Sequence, residues 1–359
     1  MLNEVTAKIS IPALQHNFNR VRTLKPNTKI VAMIKSNAYG HGLIPVAQAL
    51  TAADAFGVAR LAEALHLRAA GITQDILLMP GFLNAEQLPI IAVNNLQIVV
   101  HDQYQIELLA DAKLAHPLNV WLKIDTGMNR LGFKVNQAVA AYNRLRELKT
   151  VGAIRMMTHF ACVDEKDNPT NQIQFERLAA AEKLLPGEWS SEKSAAIMCY
   201  PEINDQWVRP GIMLYGVSPF ANTIGADFDL QPVMELSAPI LAVHKVSKGE
   251  GIGYGSTWYC PEDMLVGTIG IGYGDGYPRR MENGTPVIIN GQPAPRIGRV
   301  CMDMIMVDLR GHHQVKAGET AILWGPSLPV ETIAPRAGTS AYELLCAVTK
   351  RVKFEYISH

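Results

Sequence analysis

An excess of either charge is missing from this chain: 33 lysines and arginines are matched by 33 aspartates and glutamates. A surface so balanced offers no electrostatic basis for holding nucleic acid or an anionic membrane. Cysteines are few and scattered (Cys162, Cys199, Cys260, Cys301 and Cys346). Their odd number and wide spacing argue against a disulfide framework and for a reducing, cytoplasmic compartment. No apolar run approaches the ~18 residues that a membrane-crossing helix needs. The opening MLNEVTAKIS carries Glu4 and no long apolar stretch, so no signal segment is expected there. Internal repeats and low-complexity tracts are absent too. What is present is ordinary globular composition, 48% hydrophobic and 18% charged, in 359 residues. That length suits two domains, or one large barrel with an appendage.

The first two-thirds of the chain alternates short apolar runs with segments of helical period. The runs are Ile30–Ile34, Phe56–Ala59, Ile76–Met79, Leu96–Val100, Val120–Ile124 and Ile154–Met157. Continuous rather than alternating apolar residues suit strands covered on both faces, which is a parallel sheet with helices outside. About eight such units in roughly 220 residues fit a (β/α)8 barrel, although a doubly wound open sheet satisfies the same pattern. In either fold, functional groups gather just beyond the carboxyl ends of the strands. Lys35, Asp125 and His159 all stand there. After Asp229 the texture changes to β-type runs punctuated by glycine and proline, with helical period only over Ser340–Val348. The expectation is a barrel over residues 1–229 and a mostly β domain over 230–359.

VAMIKSNAYGHG, from Val31 to Gly42, is the sharpest local feature. A lysine partly desolvated at a strand end has a depressed pKa and can condense with an aldehyde cofactor. Gly40 and Gly42 permit close backbone approach. The plain alternative, a lysine that leaves the strand end for solvent, is not excluded by this residue alone. GIGYGSTW and GIGYGDGY carry Tyr254 and Tyr273. The second imitates a dinucleotide-binding loop but leads into PRRMENG rather than a helix, so that motif fails its own context. A tyrosine can act as acid or base where nearby charge lowers its pKa, and can equally sit in a glycine-rich turn of a β domain. His159 and Cys162 lie three apart without a second ligand pair, which does not make a metal site. No nucleophile signature surrounds Cys162 either. Arg130 and Arg209 follow strand-like runs, where a solvated role is equally open.

Together, VAMIKSNAYGHG, WLKIDTGMNRLG, THFACVDE, WVRPGIMLYGVSP, GYGSTW, IGYGDGYPRR and GRVCMDMIMVD resemble the alanine racemases, pyridoxal 5′-phosphate enzymes of fold type III. The motifs run in order from about Thr6 to the terminal RVKFEY. The resemblance implies a barrel that binds pyridoxal phosphate, a β domain, and a homodimer with active sites between subunits. It implies interconversion of L- and D-alanine, with D-alanine made for peptidoglycan or broken down. A racemase of broader range, or a non-catalytic pyridoxal phosphate-binding protein, would share part of the pattern; the second class lacks the β domain and its tyrosine.

Carried over by motif, Lys35 would hold the cofactor and serve one face of the substrate, and Tyr254 of the partner subunit the other. Tyr39, Ser194 and the backbone of Gly211 and Ile212 would hold the phosphate. Arg209 would face the pyridine nitrogen, with His159 between it and Tyr254. Arg130 and the N–H of Met302 would bind the substrate carboxylate. Tyr273, Arg279, Arg299, Asp164 and Asp303 would line the entrance. Lys123 would carry a carbamate that orients Arg130. Two residues depart from the family pattern: Lys193 replaces a frequent asparagine, and Lys350, given no role, stands where some relatives place a phosphate-contacting tyrosine.

Overall fold

The computed structural model describes residues 4–358, so Met1 to Asn3 of the opening stretch and His359 lie outside the description. Strand β1 (Thr6–Ser10) is followed by a helix over Ile11–Leu24. Ser10 caps that helix by accepting the N–H of Ala13, and Pro12 stands in its first turn, where a missing N–H costs nothing. The strands that follow are β2 (Lys29–Met33), β3 (Ala55–Val58), β4 (Asp75–Leu78), β5 (Leu96–Val100), β6 (Leu118–Asp125), β7 (Phe133–Lys134), β8 (Val151–Met157), β9 (Trp189–Ser190) and β10 (Trp207–Val208).

All of these from β2 to β10 pair in parallel, in the order β10-β2-β3-β4-β5-β6-β8-β9, with β7 beside β6. A parallel bridge between Lys193 and Arg209 brings the two ends together and closes the barrel. Strands β3 and β5 are buried along their whole length, as two covered faces require.

The second sheet is antiparallel except for one pair: β11 (Met234–Val246), β12 (Met264–Ile269), β13 (Pro286–Ile289), β14 (Gln292–Ile297), β15 (Ile305–Asp308), β16 (Thr320–Trp324) and β17 (Lys353–Ile357). Strand β11 bonds both β16 and β12, which closes six of these strands into a ring. The expected division at residues 229 and 230 needs one correction, because β1 lies in this second sheet. It pairs with β11 on one side and β17 on the other. The chain therefore enters through the β domain before building the barrel. Asn17, fully buried, fastens the first helix to the interdomain stretch by bonds to Leu214, and to Gln231 through both its carbonyl and its N–H.

Among the described residues, no helix is long and apolar enough to cross a membrane, and no three His, Cys, Asp or Glu side chains converge as metal ligands.

Candidate active site

Strand β2 ends at Met33, and the chain then makes an unusual turn. Ser36, Asn37, Ala38 and Tyr39 all have φ between 52° and 55°, a left-handed helical turn without glycine. Each such residue costs on the order of 1–2 kcal/mol against the right-handed form, so surrounding bonds must hold the turn. The Ser36 N–H donates to Glu63 Oε1 at 2.7 Å, and Asn37 Oδ1 accepts the Leu43 N–H at 2.9 Å. Gly40 continues the turn at φ 83°, where a Cβ would stand 2.0 Å from the Leu345 carbonyl. That contact presses the turn against the helix Ala341–Ala347 of the second domain.

The turn opens on a cavity of about 540 Å³ at the carboxyl end of the barrel. Lys35, Tyr39, Lys123, Arg130, His159, Ser194, Arg209, Gly211 and Ile212 line it, nine residues that the sequence singled out. No carboxylate lines it, so Lys35, Lys123, Arg130, Lys193 and Arg209 make an anion site. Burial first, and then Arg130, lowers the pKa of Lys35. Burial, Arg209, Arg130 and Lys35 bring Lys123 down to about 7. His159 is held well below its usual range by burial and by Arg209, so its imidazole is neutral.

Arg209 is buried and fixed by backbone acceptors. Its Nη1 donates to Ser190 O and its Nη2 to Thr158 O, both at 2.6 Å, and Nη2 lies 3.5 Å from His159 Nδ1. The Nε–H finds no acceptor among the described residues. Burial pulls its pKa to about 10, against Asp205 and Glu192, which raise it, so the guanidinium stays charged at neutral pH. Ser194 Oγ accepts the N–H of Gly211 at 2.9 Å, and the N–H of Ile212 has no acceptor among the described residues. A Cβ on Gly211 would stand 2.6 Å from the Tyr39 hydroxyl, so only glycine leaves that approach open.

Tyr342 and Cys346 also line the cavity, and the sequence reading assigned neither. Tyr342 lies 6.2 Å from Tyr39 between ring centroids. Its helical setting was legible, but its place in the wall comes from packing across some 300 residues of chain; the only local trace was Gly40. Lys350 lies in a different depression, with Asn37, His66 and Tyr356. Asp164 stays at the rim, paired with Lys193 at 2.7 Å.

The remaining expected residues are not in this cavity. Tyr254, Met302 and Asp303 line an open depression of about 940 Å³ on the second domain, and Tyr254 is 71% exposed. Arg299 approaches Gly255, the next residue along, and Tyr273 and Arg279 line a third hollow.

A parallel barrel whose mouth gathers four further basic side chains around one strand-end lysine, joined to an antiparallel β domain, defines a two-domain barrel enzyme that takes anionic ligands. Comparison with known proteins narrows this. Residues 9–219 match the alanine racemase N-terminal domain and residues 233–356 the alanine racemase C-terminal domain. An alanine racemase of Aeromonas hydrophila is 47% identical over 98% of this chain and 99% of its own. The biosynthetic alanine racemase of Escherichia coli O6:H1 is 47% identical over 99% and 100%. The crystal structure of the biosynthetic alanine racemase from Pseudomonas aeruginosa superposes with a TM-score of 0.96 at 39% identity, covering 99% of this chain and 100% of that one. The chain belongs to the alanine racemase family, and is an amino-acid racemase, an isomerase.

Proposed function

We propose that this racemase interconverts L- and D-alanine with pyridoxal 5′-phosphate held at Lys35, using Lys35 on one face of the substrate and the Tyr254 of a second copy on the other. One observation carries the reading: a desolvated lysine and a buried arginine with an unpartnered Nε–H meet in one cavity without carboxylates. The residues fit the cofactor. The Ile212 N–H, the Ser194 hydroxyl and the open side of Gly211 beside Tyr39 suit a phosphate. Linked to an amino acid, pyridoxal phosphate acidifies the α-proton by drawing the bond's electron pair into its ring.

The chain supplies the rest. Lys35, with its pKa lowered, can take or return the α-proton at Nζ. Arg209, still charged, would face the ring nitrogen and disfavour a proton there, which would weaken the electron sink and favour return of the proton to Cα. His159, neutral beside Arg209, can pass a hydrogen bond onward to Tyr254. Arg130 and the Met302 N–H would bind the substrate carboxylate, and Tyr273, Arg279, Arg299, Asp164 and Asp303 would form the entrance. The two-base reading carries a homodimer with it: it asks for a base on each face, and the exposure of Tyr254 in a separate hollow of its own chain supports a second copy as the source of the other base.

Lys123 belongs to the same proposal. Neutral at Nζ above about pH 7, it attacks carbon dioxide; one C–O π pair moves to oxygen, and the nitrogen gives a proton to solvent. The resulting carbamate replaces a repelling cation beside Arg130 with an anion that can pair with it.

The direct test is chemical. Borohydride reduction of the loaded protein followed by peptide mapping should place the pyridoxyl group on the peptide containing Lys35. Lys35→Ala should abolish enantiomer exchange. A label on another lysine, or full activity in that variant, contradicts the assignment.

A further inference from the structure

His41 takes no part in the chemistry above, yet it is completely buried six residues after Lys35. Its Nδ1 lies 3.1 Å from the Ala38 carbonyl and 2.9 Å from the Tyr39 carbonyl. Carbonyl oxygens only accept, so Nδ1 must carry the proton. Its Nε2 is buried without a partner, so a second proton there would be an unsatisfied donor. The ring is therefore the neutral Nδ1–H form, and burial brings its pKa down to about 4 in agreement.

The two carbonyls it holds belong to the left-handed turn, whose residues would relax to other conformations if released. The imidazole also stacks on Tyr215, with centroids 4.5 Å apart, and Tyr215 stacks on Tyr39 at 4.8 Å. The Tyr215 hydroxyl donates to Met33 O at 2.9 Å, at the end of β2 and two residues before Lys35. Strand end, turn and phosphate-side tyrosine are thus tied through one aromatic column.

From this geometry we infer that His41 is a positioning residue that locks the left-handed turn through its Nδ1–H, and thereby sets Lys35 and Tyr39 for the cofactor. The inference rests on the pyridoxal phosphate reading for its consequence, but not for the lock itself.

The test uses the full chain with His41→Leu, which removes the donor, and His41→Asn, whose amide can place a donor where Nδ1 stands. Two quantities are read: hydrogen-exchange protection of amides 36–42 without ligand, and the dissociation constant of pyridoxal 5′-phosphate. His41→Leu should lose that protection and weaken cofactor binding about tenfold, the effect of one lost buried hydrogen bond, and His41→Asn should recover most of both. Wild-type protection and affinity in His41→Leu would overturn the inference. So would a His41→Asn no better than His41→Leu, since ring packing would then be the whole effect. Were the unaltered chain to bind no pyridoxal phosphate, the functional reading would fail while the exchange data still judged the lock. If His41→Leu does not fold, nitrogen-15 histidine spectra of the unaltered chain decide, with the His41 signal assigned through His41→Asn: the Nδ1–H tautomer is expected, and Nε2–H contradicts.

Discussion

Lys123 is the residue whose surroundings most constrain its chemistry. It is buried, and Asp125, its nearest candidate partner in sequence, is already engaged by Lys134 at 2.7 Å and by the N–H groups of Gly127 and Asn129 at 3.0 Å. With no anion bonded to it among the described residues, and with burial and then three cations bringing its pKa down to about 7, Lys123 has about half of its amine deprotonated at neutral pH. Labelled carbon dioxide should therefore give a carbamate signal that grows as pH rises through about 7 and is absent from Lys123→Met. A bare amine at pH 8 under labelled carbon dioxide would contradict this. Linkage gives a second readout if the amine stays bare. Its folded pKa, about 7, lies below the unfolded value of 10.5. The unfolded state then holds more protons between these values, so the destabilisation is full below 7 and fades as pH rises toward 10.5. That Asp125 bonds Lys134 and leaves Lys123 unpaired was not legible in the sequence, which sets the three within twelve residues and states no contact.

At the scale of elements, strands β2 to β6 were legible because burial on both faces writes continuous hydrophobic runs, whereas β8 is buried only at Met156 and Met157 and showed itself only over Ile154–Met157. Strands β9 and β10 were not, since two residues each cannot show a period. Strand β14 hides behind Pro293 and Pro295, which read as a turn. The place of β1 was invisible for another reason: its five residues fit either sheet, and only the return of the chain at β17 gives it a parallel neighbour.

Two element-scale predictions follow from contacts of this kind. Gly40→Ala puts a methyl 2.0 Å from the Leu345 carbonyl at a φ of 83°, so it should push the turn and the Tyr342 helix apart. Cofactor affinity should fall at least about tenfold while the far-ultraviolet spectrum is kept; unchanged affinity would mean that this contact does not position the site. At the amino end of the barrel, burial raises the pKa of Glu188, but bonds from Trp207, Arg155 and Lys29 outweigh it and hold it near 2, against 4.5 unfolded. Its stabilisation is complete above 4.5 and is lost as pH falls toward 2. Urea midpoints of the native chain and Glu188→Gln should differ near neutral pH and converge in acid. A difference that persists below pH 2 would assign the effect to packing.

For the whole molecule, the decisive feature is a separation. Nine expected residues share the barrel-mouth cavity, while Tyr254 and Met302 occupy an open hollow on the β domain. The motifs that carry both groups were readable in the sequence because each is local; how far apart they lie within one chain is a property of the assembled domains, and no motif states it. If a second copy brings its hollow to the first copy's cavity, two defects on different chains can complement each other. Mixing Lys35→Ala and Tyr254→Phe subunits at equal amounts makes half the dimers mixed, each with one intact site of two. Random exchange should then recover about a quarter of the native racemisation rate from two inactive parents. No recovery, with subunit exchange demonstrated, would place both bases on one chain and contradict the shared two-faced site.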